Sequence, residues 1–405
     1  MTFSLVYILL FAVVNVYGLG KTILDGDVYI QFIGAIYSNS SCNTIEAETV
    51  QNIQAIKWTL TKLNDADYIP NLNIGLRISQ TCKKRGEPEK LTLQMATEMY
   101  NNSGKDVRII GVIGSDYSFE TESISRLLSS LPEENRLLQG AFSATSASLR
   151  DRNVYKNFFR TIPPDDIQVE VMIEFMEALN WTYMAIIYDD DSYGRGGKDE
   201  LLLQSKGLDV CFPVLIAVNT TYNNEIELET DIKDKIIGAD VPISGVLVFG
   251  SSFLADLVLI VTEKVVKNNK NVVHPVFLFS EAGGYIQGRH ENISKGAFVL
   301  SPPKRVISSF QEHWTQIFTD TSKLYQEIES NSLIREVYTE IFNCTPADTK
   351  EINTCRQLTK PEFVEGFSLR FFKNAFKILV FARYKGLQHN RLRIAVAEYS
   401  KGTVS

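Results

Sequence analysis

The chain has 405 residues, of which 44% are hydrophobic and 22% are charged. This balance is typical of globular domains and excludes a disordered or fibrous protein. With 48 acidic and 41 basic residues and a net charge of −7, the chain has no basic surplus for binding a nucleic acid backbone.

Residues 1–18 predict a secretory signal peptide. An apolar run from Leu5 to Val14 precedes small residues near Gly18, although no Lys or Arg comes before the run. A buried first strand and a membrane anchor are the alternatives, but the run is short for a spanning helix and polar residues follow it. The mature chain is therefore predicted to be extracellular.

Asparagine and cysteine usage agrees with export. Six Asn-x-Ser/Thr sequons are candidate glycosylation sites, namely Asn39, Asn101, Asn180, Asn219, Asn292 and Asn343. The five cysteines show no Cys-x-x-Cys spacing and lie far from the histidines in sequence, so no metal site is predicted. In an oxidising compartment Cys344 and Cys355 would close a short loop and Cys42 and Cys82 a longer one, which leaves Cys211 unpaired.

Strand-length apolar runs alternate with segments of helical period along most of the chain. The predicted strands are 28–37, 72–78, 108–113, 184–188, 246–249 and 276–279. The predicted helices are 49–64, 120–131, 167–179, 253–267 and 310–318. This alternation predicts an α/β protein in which helices cover both faces of parallel sheets.

Two breaks divide the predicted elements. Pro163 and Pro164 stop regular structure, and a second break lies at residues 301–303. The predicted lobes are one formed by residues 19–160 together with 303–405, and one formed by residues 161–302.

Polar residues follow several predicted strands, at the edge where open α/β sheets bind ligands. Hydroxyl groups follow Ile113 and Phe142, and carboxylates follow Tyr188 and Phe279. Hydroxyls and backbone N–H groups at a helix N-terminus suit a carboxylate, whereas carboxylates and a tyrosine suit an ammonium group. The alternative is that these residues form ordinary turns and helix caps, which use the same residue types.

Motifs for catalysis and cofactor binding are missing from the sequence. It contains no Walker loop, dinucleotide fingerprint, Gly-x-Ser-x-Gly elbow or His-Glu-x-x-His motif. The acidic pair Asp165-Asp166 and the acidic run 189–191 are better explained as solvated loops than as acid–base catalysts. We therefore predict a binding protein that is not an enzyme and needs no cofactor.

An ordered series of short motifs resembles the extracellular ligand-binding domain of class C G-protein-coupled receptors, which include metabotropic glutamate, calcium-sensing and taste receptors. The series is GD at 26–27, TC at 81–82, FSATS at 142–146, YKNFFR at 155–160, PD at 164–165, NWTY at 180–183 and YG at 193–194. Each motif alone is weak, whereas the series in this order is specific.

This resemblance implies a two-lobed Venus flytrap of the type I periplasmic-binding-protein kind. Such a domain binds a small α-amino acid between its lobes, signals by lobe closure, and forms homo- or heterodimers through its first lobe. The residues that by position resemble the family's ligand-carboxylate site are Ser118, Ser143 and Thr145. The residues that resemble its ligand-amine site are Asp165, Tyr193 and Glu281.

The resemblance also implies both disulfides, and for Cys211 a bond to a cysteine-rich domain. That domain and the seven-helix bundle do not follow here, so the fold is expected to be C-terminally incomplete, with a G protein reached only through the missing bundle. The full-length receptor would place this region on the extracellular face of the plasma membrane, and a chain that truly ends at Ser405 would be secreted. The alternatives are the flytrap ectodomain of a single-span receptor, such as a receptor guanylate cyclase, and a secreted amino-acid-binding decoy.

Ligand choice is expected to differ from that of the glutamate receptors in the family. Those receptors bind the distal carboxylate with basic residues, and the corresponding positions here are Asn52 and a residue near Ser368, with Arg370 two residues further on. A carboxylate buried without a cation costs several kcal/mol. A neutral or aromatic side chain is therefore expected to bind better than glutamate.

Overall fold

The computed structural model describes residues 20–37, 41–101, 108–219, 225–268, 275–286, 290–300 and 307–342. Several predictions lie outside these residues: the signal peptide, Asn39, Asn343, Cys344, Cys355, Ser368 and Arg370. The side chains of Asn101 and Asn292 lie outside them as well.

The described residues contain eleven strands. They are β1 Lys21–Leu24, β2 Val28–Gly34, β3 Ile74–Gln80, β4 Ile109–Ile113, β5 Leu138–Ala141, β6 Phe158–Arg160, β7 Tyr183–Asp189, β8 Cys211–Val218, β9 Gly245–Phe249, β10 Phe277–Phe279 and β11 Phe298–Val299.

The same residues form eleven α-helices. They are α1 Ala47–Asp65, α2 Glu87–Asn101, α3 Ser118–Ser130, α4 Asp165–Ala178, α5 Ser192–Gln204, α6 Glu225–Asp231, α7 Ser252–Asn268, α8 Glu291–Ser294, α9 Ser308–Thr319, α10 Thr321–Ser330 and α11 Ser332–Phe342. Short 3-10 helices occur at Glu133–Asn135, Ala147–Arg150 and Glu281–Ile286, and a π-helix spans Ile232–Ile237.

The described chain forms two compact units. Unit 1 contains residues 20–144, 151–162 and 307–342, and unit 2 contains residues 145–150 and 163–300, within the described ranges. The segment Thr145–Arg150 therefore groups with unit 2, where Arg150 forms an ion pair of 2.8 Å with Asp166.

Unit 1 is built on a six-stranded sheet with the order β1-β3-β2-β4-β5-β6. Strand β1 runs antiparallel to β3, and the other neighbours are parallel. The apolar residues of α1 recur at helical spacing, so Ile53, Ile56 and Leu60 are buried on one side of the helix. Their core extends to Trp314 on α9, which is fully buried.

Unit 2 is built on a five-stranded parallel sheet with the order β11-β10-β9-β7-β8. Every residue of β9 is buried because helices cover both faces of the sheet. One layer of the core packs α7 against this sheet, and the other packs α4 and α5 against it. The predicted α/β fold with parallel sheets is confirmed.

Candidate functional site

The three residues assigned to the ligand amine come together within unit 2. The Tyr193 hydroxyl, near the start of α5, donates a hydrogen bond of 2.9 Å to Glu281 Oε2. Gln168 connects Glu281 to Asp165. Its Oε1 accepts the Glu281 backbone N–H at 2.8 Å, and its Nε2 lies 3.4 Å from Asp165 Oδ1. Gln168 was not among the residues predicted from the sequence.

This group combines one buried carboxyl with a partly buried carboxyl and a partly buried tyrosine. Asp165 begins α4 and is fully buried. Burial raises the pKa of the Tyr193 hydroxyl well above its ordinary value, and the charges of Glu281 and Asp165 raise it further. A tyrosine hydroxyl that contacts one carboxyl and lies in the field of a second is suited to an ammonium group, which supplies donors and positive charge.

Local packing fixes the position of Tyr193. The helix cap Asp191 accepts the Gly194 backbone N–H at 2.9 Å, and burial raises the pKa of the Asp191 carboxyl. Any Cβ atom on Gly194 would collide with the Asp189 backbone, so only glycine allows α5 to start this close to the end of β7. The Tyr193 ring packs 5.0 Å from that of Phe249.

The residues assigned to the ligand carboxylate are divided between the two units. Ser118 begins α3 and is buried, and Ser143 is half-buried after β5, so both lie in unit 1 on turns that follow neighbouring strands. Thr145 groups with unit 2, where its backbone carbonyl accepts the Asp165 N–H at 2.9 Å. Thr145 therefore lies next to Asp165, one of the residues assigned to the ligand amine, within unit 2.

The turn before Ser118 carries a polar network that the sequence did not indicate. Glu120 is fully buried and accepts hydrogen bonds of 2.6 Å from the hydroxyls of Thr81 and Ser115. Burial raises the pKa of its carboxyl to about 6, although both hydrogen bonds act in the opposite direction. This network ties α3 to the turn that follows β3.

A second group lies beside this network. The Tyr117 hydroxyl donates to Glu46 at 3.1 Å, and Lys83 Nζ lies 2.9 Å from Glu46 Oε1 and 4.2 Å from the centre of the Tyr117 ring. Asn52, the residue expected from the resemblance to replace a basic residue of the glutamate receptors, is buried on α1.

The cysteines and sequons within the described residues have distinct environments. Cys42 and Cys82 form a disulfide with a Cα–Cα distance of 5.3 Å. Cys211 begins β8, forms no disulfide among the described residues, and is exposed. Asn180 is exposed, whereas Asn219 is partly buried after β8.

Other features of the described ranges lie apart from these groups. A surface cavity of about 470 Å³ in unit 2 is lined by residues that include Pro213, Leu215, Asp234 and Gly238, and by none of the predicted ligand residues. None of the helices in the described ranges combines the length and apolar character that crossing a bilayer requires.

Comparison with known proteins identifies the class of the chain. Residues 52–331 match the family model described as the receptor family ligand binding region. The chain therefore belongs to this family, and its recognition from sequence motifs as a class C receptor ligand-binding region is confirmed.

Similar curated proteins are metabotropic glutamate receptors. The chain is 24% identical over 360 residues to the probable metabotropic glutamate receptor mgl-1 of Caenorhabditis elegans, covering 79% of this chain and 34% of the relative. It is 22% identical over 348 residues to metabotropic glutamate receptor 4 of Rattus norvegicus, covering 79% and 36%. It is 23% identical over 320 residues to the metabotropic glutamate receptor of Drosophila melanogaster, covering 73% and 31%. The chain thus spans about a third of the length of the curated relatives it matches.

Proposed function

We propose that this chain is the extracellular amino-acid-sensing region of a class C G-protein-coupled receptor and that its ligand is a small α-amino acid other than glutamate. The main support for this proposal is the candidate amine-binding site of unit 2, which consists of Asp165, Tyr193 and Glu281. The buried Asp165 carboxyl, the partly buried Glu281 carboxyl and the tyrosine hydroxyl provide the acceptors and negative charge that an α-ammonium group needs.

In this proposal the ligand carboxylate binds the start of α3. Ser118 supplies a hydroxyl, and the first-turn N–H groups of the helix carry partial positive charge. Ser143 and Thr145 contribute from the segment after β5. A ligand that engages both the carboxylate and the amine residues would favour a closed arrangement of the two lobes, because a ligand shifts an equilibrium only through contacts it makes better in one state.

The rest of the proposal rests on the resemblance to class C receptors. The region lies on the outer face of the plasma membrane, dimerises through unit 1 and acts on a G protein through a seven-helix domain beyond these residues. Small-angle scattering of the ectodomain should show compaction at saturating ligand, and unchanged dimensions would reject closure.

Calorimetric titration of the complete ectodomain with the twenty amino acids tests the ligand class. Ser118→Ala should weaken binding by roughly 1–3 kcal/mol, the effect of losing a charge-assisted hydrogen bond. Ser130→Ala is the matched control, because Ser130 is exposed at the other end of the same helix. Equal affinities of the two variants, or glutamate as the tightest ligand, would contradict the proposal.

The amine site is tested by Tyr193→Phe, which removes one hydroxyl and keeps the ring. Affinity for an α-amino acid should fall, while affinity for the corresponding 2-hydroxy acid should change little because that acid has no ammonium group. Tyr68→Phe, at a position that is 72% exposed, is the control. Equal losses for both ligands would argue against an amine contact.

A further inference from the structure

The sheet of unit 1 has a topological switch point between β2 and β4. The chain passes from β2 to β3 on one side of β2, and then to β4 on the other side. The segments that follow β2 and β4 therefore leave the sheet in opposite directions and open a crevice at the carboxyl ends of these strands. In open α/β sheets, ligands bind in this crevice.

Side chains of unit 1 cross this crevice. Glu46 directly precedes α1, on the segment after β2, and Tyr117 directly precedes α3, on the segment after β4. The Tyr117 hydroxyl lies 3.1 and 3.3 Å from the two carboxylate oxygens of Glu46. A second link joins the same segments, because the Thr49 hydroxyl donates to Asp116 Oδ2 at 3.0 Å.

Lys83 holds the Tyr117 ring from a third segment, the turn after β3. Its ammonium group lies 4.2 Å from the ring centre and 2.9 Å from Glu46 Oε1. The ring is thus held through its face by a cation and through its hydroxyl by a carboxylate. Tyr117 is consequently held in place after β4, next in sequence to Ser118.

Resting on the proposed function, we propose that Tyr117, held by Glu46 and Lys83, determines ligand specificity by restricting the site to amino acids with small side chains. In this proposal the ring, which is held between the segments after β2 and β3, takes up space that a long or aromatic ligand side chain would need. An acidic side chain would in addition have to compete with Glu46 for Lys83. The sequence led us to expect a ligand with a neutral or aromatic side chain. This proposal restricts that expectation to ligands with small neutral side chains and disfavours aromatic ones.

The test compares alanine with phenylalanine by calorimetry on the complete ectodomain and on its Tyr117→Ser variant. The backbone of Tyr117 is extended, at φ −96° and ψ 133°, and serine is a favoured residue at such a helix cap, so this variant is compatible with the start of α3. Wild-type protein should prefer alanine at least tenfold, and Tyr117→Ser should reduce that preference at least tenfold. Tyr117→Phe, which keeps the ring, and Tyr68→Ser, at an exposed position, should retain it.

The outcomes separate this inference from the function on which it rests. A change of less than threefold in the alanine-to-phenylalanine ratio, with amino-acid binding intact, overturns the role of Tyr117 and leaves the proposed function standing. If none of the twenty amino acids binds wild type or variant, the proposed function fails and the inference falls with it. Circular dichroism checks that each variant is folded, and Tyr117→Val replaces Tyr117→Ser if the latter is not.

Discussion

The buried carboxyl of Glu120 predicts a pH-dependent stability that one substitution should remove. Its pKa is raised from 4.5 to about 6 because the side chain is desolvated, while Ser115 and Thr81 still donate hydrogen bonds to it. The folded chain therefore holds this proton more tightly than the unfolded chain does. The stabilisation is complete below pH 4.5 and is lost as the pH rises through 6.

The size of the effect follows from the two pKa values. The difference between 4.5 and about 6 corresponds to ~2 kcal/mol of unfolding free energy at 1.36 kcal/mol per pH unit. About 1.5 kcal/mol of this should appear between pH 4.5 and 7.5, because half of the unfolded glutamates are already ionised at the lower pH. Glu120→Gln keeps the shape and the capacity for hydrogen bonding but carries no charge. The change in unfolding free energy that this substitution causes should therefore be more favourable to the mutant at pH 7.5 than at pH 4.5.

Urea unfolding at several pH values, followed by tryptophan fluorescence, measures this difference. Trp58 and Trp314 both lie in unit 1, and a shared Trp181→Phe background removes the third tryptophan, which lies in unit 2, so the signal reports on the unit that contains Glu120. Subtracting the unfolding free energy of the mutant from that of the wild type at each pH removes the contributions of carboxyls that both proteins share. Glu122→Gln is the control for removing one negative charge from the same helix. This reasoning would be refuted if the difference in unfolding free energy between wild type and Glu120→Gln did not change with pH, or if it came to favour the wild type as the pH rises.

Three further predictions concern other sites. Arg77→Met should lower the unfolding free energy in urea by roughly 3–5 kcal/mol, because Glu98, now 3.2 Å from the guanidinium, would stay buried without its partner; a loss below 1 kcal/mol would be inconsistent with a buried pair. Gln168→Ala should weaken calorimetric binding of an α-amino acid more than that of its 2-hydroxy analogue, since Gln168 connects Asp165 and Glu281; equal losses would indicate a general folding defect. Alkylation of the native 405-residue chain, followed by peptide mapping, should label Cys211, and protection of this thiol would show that it has a partner.

The elements that the sequence predicted are those whose residue pattern reflects burial directly. The apolar run 246–249 became β9 because parallel strands are covered on both faces. Helix α5 was missed because glycines at 194, 196 and 197 disfavour a helix. Tertiary packing reverses that preference, since a Cβ atom at Gly197 would collide with the Phe249 ring. Strand β8 was missed because Pro213 stands inside its apolar run, and proline is tolerated in a strand only at positions such as the sheet edge that β8 occupies.

The candidate site was only partly accessible from the sequence. Motif resemblance pointed to Asp165, Tyr193 and Glu281, and the structure places these residues together. Gln168 stands three positions after Asp165, and this i, i+3 spacing on a helix is a signal that predicts neighbouring side chains. The contact of Tyr117 with its partners joins segments after three different strands. It depends on strand order, which residue spacing does not reveal.

The disulfide between Cys42 and Cys82 couples the crevice of unit 1 to the redox state of the compartment in which the chain folds. It closes a loop with a sequence separation of 40, for which chain entropy alone gives stabilisation of about 4 kcal/mol. Glu46 lies within this loop, and Lys83 lies one residue beyond it. Reduction would release the turn after β3 from the segment before α1, and with it both side chains that hold Tyr117. Under the proposed function, chains that fold without this disulfide should therefore show relaxed ligand selectivity.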